Sequence, residues 1–378
     1  MTNRRGGHVK VAVVGTRGFP DVPGGVEAHC ENLYPRLARQ GCAITVFTRR
    51  PYVPPKRFVY KNVALQPVFC PKQKFLEALV HTLCAVVLAG KLRPDIIHFH
   101  ALGPSLFVPL ARVLGMKVVM TTHGPEYKRK KWNGAAKAVL RLGEWAGVRF
   151  ADAVIAISEP IAADIRNRRK EITVIPNGVA VPALAASEEI LKKYGIQKNK
   201  YILAVGRFVP EKGFHDLIAA FAAHDFSDWK LVIAGDADHE DRYSSELKKQ
   251  ARRHPQVVLP GYLTGQPLSE LYSHAGLFVL PSYYEGLPIA LLEAMSYQRS
   301  CIVSDIPAHK NVVTEAERFF APGDVAALAE KIAVFARRPL SEAEKLRQLE
   351  VLKRFDWDTI AENTLAVYKK VLGYDRKK

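Results

Sequence analysis

A chain of 378 residues, 48% apolar and 24% charged, has the composition of a globular protein and the length of two domains. Its five cysteines (Cys30, Cys42, Cys70, Cys84, Cys301) are scattered without a Cys-x-x-Cys pair, which argues against a disulfide framework or a cysteine zinc site. The net charge of +18 is lopsided: residues 1–180 hold 28 Lys and Arg against 11 Asp and Glu, a net of +17, and residues 181–378 hold 27 against 26, a net of +1. The first half is therefore expected to meet an anionic partner: a phosphorylated substrate, an acidic membrane surface or nucleic acid. The start, Met1 to Gly7, has no apolar signal core. The longest apolar stretch, Phe75 to Gly90, contains Glu77 and His81 and is too short for a membrane span.

In chain order, short apolar runs alternate with helical patterns. Strands are predicted at 9–14, 43–47, 95–99, 117–121, 153–157 and 173–175, and helices at 26–39, 75–91, 105–114, 135–150 and 160–168. A Pro- and Ala-rich linker covers 179–187, and the pattern restarts. Strands follow at 201–205, 230–234, 256–259, 277–280 and 301–304. Helices follow at 214–223, 243–253, 268–274, 288–297 and 325–337, and a last one at 357–372. Such alternation predicts an α/β protein of two doubly wound, Rossmann-like domains facing each other across a cleft. Expected boundaries are 1–182 for the basic domain, 188–355 for the second, and 356–378 for a terminal helix that returns to the first.

Chemistry concentrates at predicted strand exits, where open α/β sheets bind ligands. Glu285-Gly286-Leu287-Pro288 opens a helix that carries Glu293 about two turns on, and the amides of Gly286 and Leu287 would favour an anion between the carboxylates. Acidic residues near a helix start also stabilise its dipole without any chemistry. Gly206-Arg207 and Lys212-Gly213 follow another strand, the paired donors of arginine and the point charge of lysine making a diphosphate clamp. Gly15-Thr16-Arg17-Gly18 and Gly24-Gly25 lack dinucleotide-site spacing but permit close approach of an anion or sugar, with Arg17 adding charge. His123 follows the strand at 117–121, placed to meet a sugar hydroxyl or a developing positive centre; His98 and His100 are expected to line the same cleft. Asp236-Ala237-Asp238 reads as a loop turn and Asp356-Trp357-Asp358 as a helix cap, so no metal or other cofactor is expected. The cluster Lys128 to Lys131 with Trp132, Trp145 and Phe150 reads equally as an ordinary helix or as one lying on an anionic membrane. The basic half contains no recognisable nucleic-acid reader motif.

These motifs resemble the family 4 retaining glycosyltransferases of GT-B type over nearly the whole chain. Most specific are Gly206-Arg207 with Glu211-Lys212-Gly213, Ala234-Gly235-Asp236, Pro281-Ser282 with Glu285-Gly286, and the eight-residue step from Glu285 to Glu293. Gly15 to Pro20, Gly24-Gly25 and His123-Gly124 are similar to a bacterial polysaccharide-assembly subgroup that includes rhamnosyltransferases. The resemblance implies metal-independent, retaining transfer from a nucleotide sugar to a lipid-linked or oligosaccharide acceptor, by a cytoplasmic enzyme peripheral on the inner membrane face. It implies that Arg207 and Lys212 hold the donor diphosphate, Glu293 the ribose, and Glu285 with Gly286 and Leu287 the sugar. His123 would meet that sugar, and Gly24-Gly25 would shape the phosphate and acceptor side. Pro307-Ala308-His309 departs from relatives that carry an acidic residue after the proline. A phosphorylase or sugar-nucleotide epimerase on the same fold, and a non-catalytic basic module, are the alternatives.

Overall fold

The computed structural model describes residues 8–374 except 72, 74, 75, 129–132, 170, 224, 225, 227, 238 and 239. Two compact units result, one of residues 1–178 with 357–378 and one of residues 179–356. Segment 179–187 has no regular structure.

The first unit is built on an eight-stranded sheet: β1 (Lys10–Val14), β2 (Ala43–Arg49), β3 (Phe58–Tyr60), β4 (Val63–Val68), β5 (Ile96–His100), β6 (Lys117–Thr122), β7 (Ala153–Ala156) and β8 (Thr173–Val174). The order is β3-β4-β2-β1-β5-β6-β7-β8, and every pairing is parallel except β3 with β4. Parallel strands are covered on both faces, which is why β1 is buried from Val11 to Val14 and β5 along its whole length, its two histidines included. One face packs on helices Gly25–Arg39 and Trp357–Leu372 through Leu33, Tyr34, Leu37, Ile360 and Tyr368. Helices Leu76–Leu92, Val108–Val113 and Gly134–Phe150 cover the other through Val86, Ala89, Val108, Leu140 and Val148.

The second unit repeats the plan with six parallel strands: β9 (Tyr201–Val205), β10 (Lys230–Ala234), β11 (Val257–Val258), β12 (Leu277–Leu280), β13 (Cys301–Ser304) and β14 (Phe319–Phe320). Their order is β11-β10-β9-β12-β13-β14.

Several elements were absent from the sequence reading. The hairpin β3–β4 turns on Lys61 and Asn62, both with positive φ (45° and 66°), without the glycine that usually marks such a turn. Pro67 breaks the strand pattern of β4, yet it fits because β3 pairs only as far as Leu65 and leaves that stretch an edge. Helix Glu342–Leu352 starts at a capping box made by Ser341 and Glu344, a signal present in the sequence. Strand β14 and the helices Glu189–Lys193 and Pro307–Lys310 are too short to show a period.

Candidate functional site

In each unit the strand order reverses once, and ligands of open α/β sheets bind at that switch point. In the second unit the reversal lies between β9 and β12, because the chain runs from β9 to β10 on one side and returns to β12 on the other. The loops leaving these two strands are 206–213 and 281–288, so the two motif segments of this half sit side by side. They interlock: Tyr283 N–H donates to the Glu211 carbonyl at 2.8 Å, and Gly213, at φ 64°, packs so close to the Pro281 carbonyl that a Cβ would collide with it.

Lys212 Nζ donates to Glu285 Oε1 at 2.6 Å, and Ser282 Oγ donates to the same oxygen at 2.7 Å. Both charged side chains are largely buried, at 18% and 10% exposure. Burial alone would raise the Glu285 carboxyl, but the Lys212 ammonium, the nearby His309 ring and the two hydrogen bonds outweigh it and hold it below the ordinary value. Glu285 is therefore a carboxylate throughout the neutral range. Glu293 differs. Burial raises it, only partly offset by the Tyr272 hydroxyl donating to Oε2 at 2.9 Å. Arg207 follows Gly206 at the end of β9, half-buried, and Gly286 and Leu287 precede the helix Ile289–Ser296.

His309 occupies the position marked as a departure. It is fully buried, its Nδ1 is 2.8 Å from the Ser304 carbonyl, and burial lowers its pKa.

In the first unit the reversal lies between β1 and β5. Gly15 leaves β1 against the His100 carbonyl, where a Cβ has no room. Arg17, which the sequence offers as a charge for an anion, lies along Glu27: Nε is 3.2 Å from Oε1, and its own backbone N–H donates to that oxygen at 3.0 Å. Glu27 is buried in the first turn of helix Gly25–Arg39, so the loop is neutralised internally. Gly24 caps that helix at φ 145°, ψ 151°, a conformation open in practice only to glycine. A Cβ there would meet Glu27 and Arg17. Gly24→Ala is expected to cost about 1–3 kcal/mol of stability, read by denaturant unfolding, and a loss below ~0.5 kcal/mol would show that the loop relaxes freely.

His123 follows β6, half-buried, its Nε2 3.1 Å from His100 Nδ1. His98 and His100 do not line a cleft. Both are fully buried, bonded to Tyr34, Tyr368 and Thr121, and burial keeps them neutral, His98 pushed down to about 3. They point inward because β5 is covered on both faces. Sequence reasoning also missed Tyr272, which holds Glu293, and His29, which bonds Asn177 at 2.6 Å; neither belongs to a motif, whereas Ser282, quoted there only as part of one, holds Glu285.

Asp236 accepts from Ala237 N–H at 2.8 Å and pairs with Lys248 at 3.0 Å, as a loop turn does. Asp356 stands directly before helix Trp357–Leu372 with extended backbone (φ −70°, ψ 127°), the position of a cap, while Asp358 lies in the first turn and pairs with Arg36 at 3.1 Å. Asp238, Lys170 and Arg129 to Trp132 lie outside the described residues. Helix Gly134–Phe150 buries Leu140 and Val148 yet exposes Leu142, Trp145 and Phe150. No helix among the described residues is long and apolar enough to cross a membrane.

Comparison with known proteins agrees with this architecture. Residues 186–349 match the model for glycosyl transferases group 1, and residues 23–181 that for Glycosyltransferase Family 4. The alpha-maltose-1-phosphate synthase of Mycobacterium tuberculosis is 30% identical over 401 aligned residues, covering 96% of this chain and 100% of the relative. O-antigen chain mannosyltransferase B of Escherichia coli is 28% identical over 187 residues, 48% of each chain. Among solved structures, sucrose-phosphate synthase from Thermosynechococcus elongatus superposes with a TM-score of 0.78 at 21% identity, covering 97% of this chain and 100% of that one. Anabaena HepE, solved in complex with UDP-glucose, superposes with 0.76 at 18% identity, covering 96% and 100%. The chain belongs to the family 4 glycosyltransferases, of GT-B type.

Proposed function

We propose that this glycosyltransferase is retaining and metal-independent, and that it moves a sugar from a nucleoside-diphosphate sugar to a lipid-linked glycan acceptor in bacterial surface polysaccharide assembly. The supporting observation is the buried pair Lys212–Glu285, beside Arg207, at the switch point of the second unit. An ammonium has three donors, so Lys212 can hold both Glu285 and a phosphate oxygen. With Arg207 it neutralises the diphosphate as the sugar–phosphate bond breaks, which is the charge stabilisation a metal would otherwise supply. Glu285, kept ionised, faces the positive charge that develops on the sugar, and Glu293 takes the ribose hydroxyls. The acceptor hydroxyl attacks the face the diphosphate leaves, the new C–O bond forms as the old one breaks, and its proton passes to the departing phosphate oxygen. In the first unit His123 contacts the sugar, and Gly24-Gly25 shape the acceptor side.

A lipid-linked acceptor fits two features of the first unit: its net charge of +17 over residues 1–180 and exposed apolar residues on two of its helices. Leu83, Val87 and Leu92 on one helix and Leu142, Trp145 and Phe150 on another are exposed, with Lys91, Arg141 and Arg149 among them. Apolar residues rimmed by basic ones suit an anionic bilayer. The protein is expected to sediment with vesicles of anionic lipid at low salt, to be released by added salt, and to bind less after Trp145→Glu. Equal binding to zwitterionic vesicles or to DNA would remove the membrane from the proposal. A soluble phosphorylated-sugar acceptor is the second reading, favoured by the full-length relative named as a maltose-1-phosphate synthase. Partition of labelled product into organic solvent separates the two.

A further inference from the structure

A chain of buried hydrogen bonds runs beneath the carboxyl ends of β5 and β6 and ends on His123. Tyr34, His98, His100, Thr121 and Tyr368 are all essentially inaccessible. His98 Nε2 stands 2.7 Å from Thr121 Oγ1. Its Nδ1 stands 2.6 Å from the Tyr368 hydroxyl and 3.2 Å from that of Tyr34. The Tyr34 hydroxyl is 2.5 Å from His100 Nε2, and His100 Nδ1 is 3.1 Å from His123 Nε2.

Two neutral rings give this chain a direction. Burial keeps His98 and His100 neutral, so each ring carries one proton. If the His98 proton is on Nδ1, that atom is a donor and cannot accept from Tyr34. If it is on Nε2, the single lone pair of Nδ1 is already taken by Tyr368 at the shorter distance. Either way the Tyr34 proton does not go to His98; its acceptors are the neighbouring Tyr368 hydroxyl and His100 Nε2, and at 2.5 Å the His100 nitrogen is the nearer of its two ring contacts. When Tyr34 donates to His100, Nε2 is the bare nitrogen and the proton of His100 sits on Nδ1, facing His123.

We propose that Tyr34 and His100 are positioning residues that fix the tautomer of His123: Tyr34 donates to His100 Nε2, His100 Nδ1–H donates to His123 Nε2, and neutral His123 carries its proton on Nδ1. The consequence rests on the reading of His123 as a sugar contact: the ring nitrogen that meets the sugar is a hydrogen-bond donor and not an acceptor. Partners that fix a histidine tautomer in this way decide what its other nitrogen can do.

The rings of His29, His100 and His123 also offer one nitrogen each within 4.8 Å of one another, and His29 Nε2 has no hydrogen-bond partner among the described residues. A divalent cation bound there would need the lone pairs of His100 and His123, and so contradicts the chain as drawn.

The test is a long-range proton–nitrogen correlation spectrum of the 15N-labelled full chain at neutral pH, with EDTA and then with Zn²⁺ alone. His100 and His123 are both expected as Nδ1–H tautomers, unchanged by zinc. An Nε2–H tautomer at either ring, or stoichiometric zinc uptake that shifts them, overturns the proposal. In Tyr34→Phe an Nε2–H population should appear at both rings, and an unchanged pattern removes Tyr34 from the chain. Should that variant not fold, His100→Asn, whose amide can stand in for Nδ1–H, is compared with His100→Leu. The leucine variant should lose about 10-fold in kcat with donor KM within about threefold, and the asparagine variant should recover most of it. Equal losses in the two contradict the donor role. Absence of glycosyl transfer in the wild type would sink the function proposed above but leaves the tautomer readout standing.

Discussion

Glu285→Gln should lower turnover by about 100-fold or more while donor affinity changes by less than about fivefold. Glutamine is isosteric and can keep contacts with Ser282 and Lys212, both within 2.7 Å of Glu285 Oε1, so the loop geometry is retained. What disappears is a negative charge, which pairs with Lys212 in the resting protein and, along the reaction, is needed most in the transition state, with positive charge on the sugar. Single-turnover transfer gives the first quantity and calorimetry with the donor the second. Turnover within a few-fold of wild type would show that the carboxylate does not face the reacting sugar. The lowered Glu285 pKa adds a sign: the carboxylate is charged above its depressed value, so acidification to pH 5 should not remove its contribution.

Glu344→Ala is expected to cost the second unit about 3–5 kcal/mol, because it strands a buried guanidinium. Arg318 and Glu344 are 4% and 5% exposed and meet at 2.6 Å, with Arg338 at 2.7 Å from the same oxygen. The second carboxylate oxygen accepts from Ser341 N–H and Oγ at 2.8 and 2.7 Å. Burial works against ionisation, yet the Ser341 and Arg318 hydrogen bonds lower the pKa from 4.5 to about 2. A carboxyl depressed on folding stabilises the protein above pH 4.5, and this share is lost as pH falls from there towards 2. Unfolding midpoints measured across that range should show the slope in the wild type and a weaker one in the variant. A destabilisation below ~1 kcal/mol would mean that water reaches Arg318 once the carboxylate is gone.

What the sequence made legible follows from what is local. Strands β9, β10, β12 and β13 appear within the read bounds because each is a short apolar run buried on both faces, ended by glycine, serine or proline. The motif loops were visible for the same reason, since a strand exit followed by glycine and a charged residue is a pattern within one segment. Long-range partners were not visible. Nothing near Lys212 in the chain points to Glu285, 73 residues away, and nothing in helix Gly25–Arg39 shows that Tyr34 meets His100, 66 residues on. His98 and His100 were expected to line a cleft because they stand at a strand end; a parallel strand covered on both faces buries them instead. Arg17 was read as adding a fixed charge because its partner Glu27, in the first turn of the following helix, is ten residues away in the chain.

Transfer itself is tested most directly by incubating the protein with a panel of nucleotide sugars and following nucleoside diphosphate release, in wild type and in Lys212→Ala. The expected result is release from one donor, with the sugar anomer retained in the product by NMR, and a loss of about 100-fold or more in Lys212→Ala. Donors left intact, or turnover that requires inorganic phosphate and yields a sugar phosphate, would contradict it.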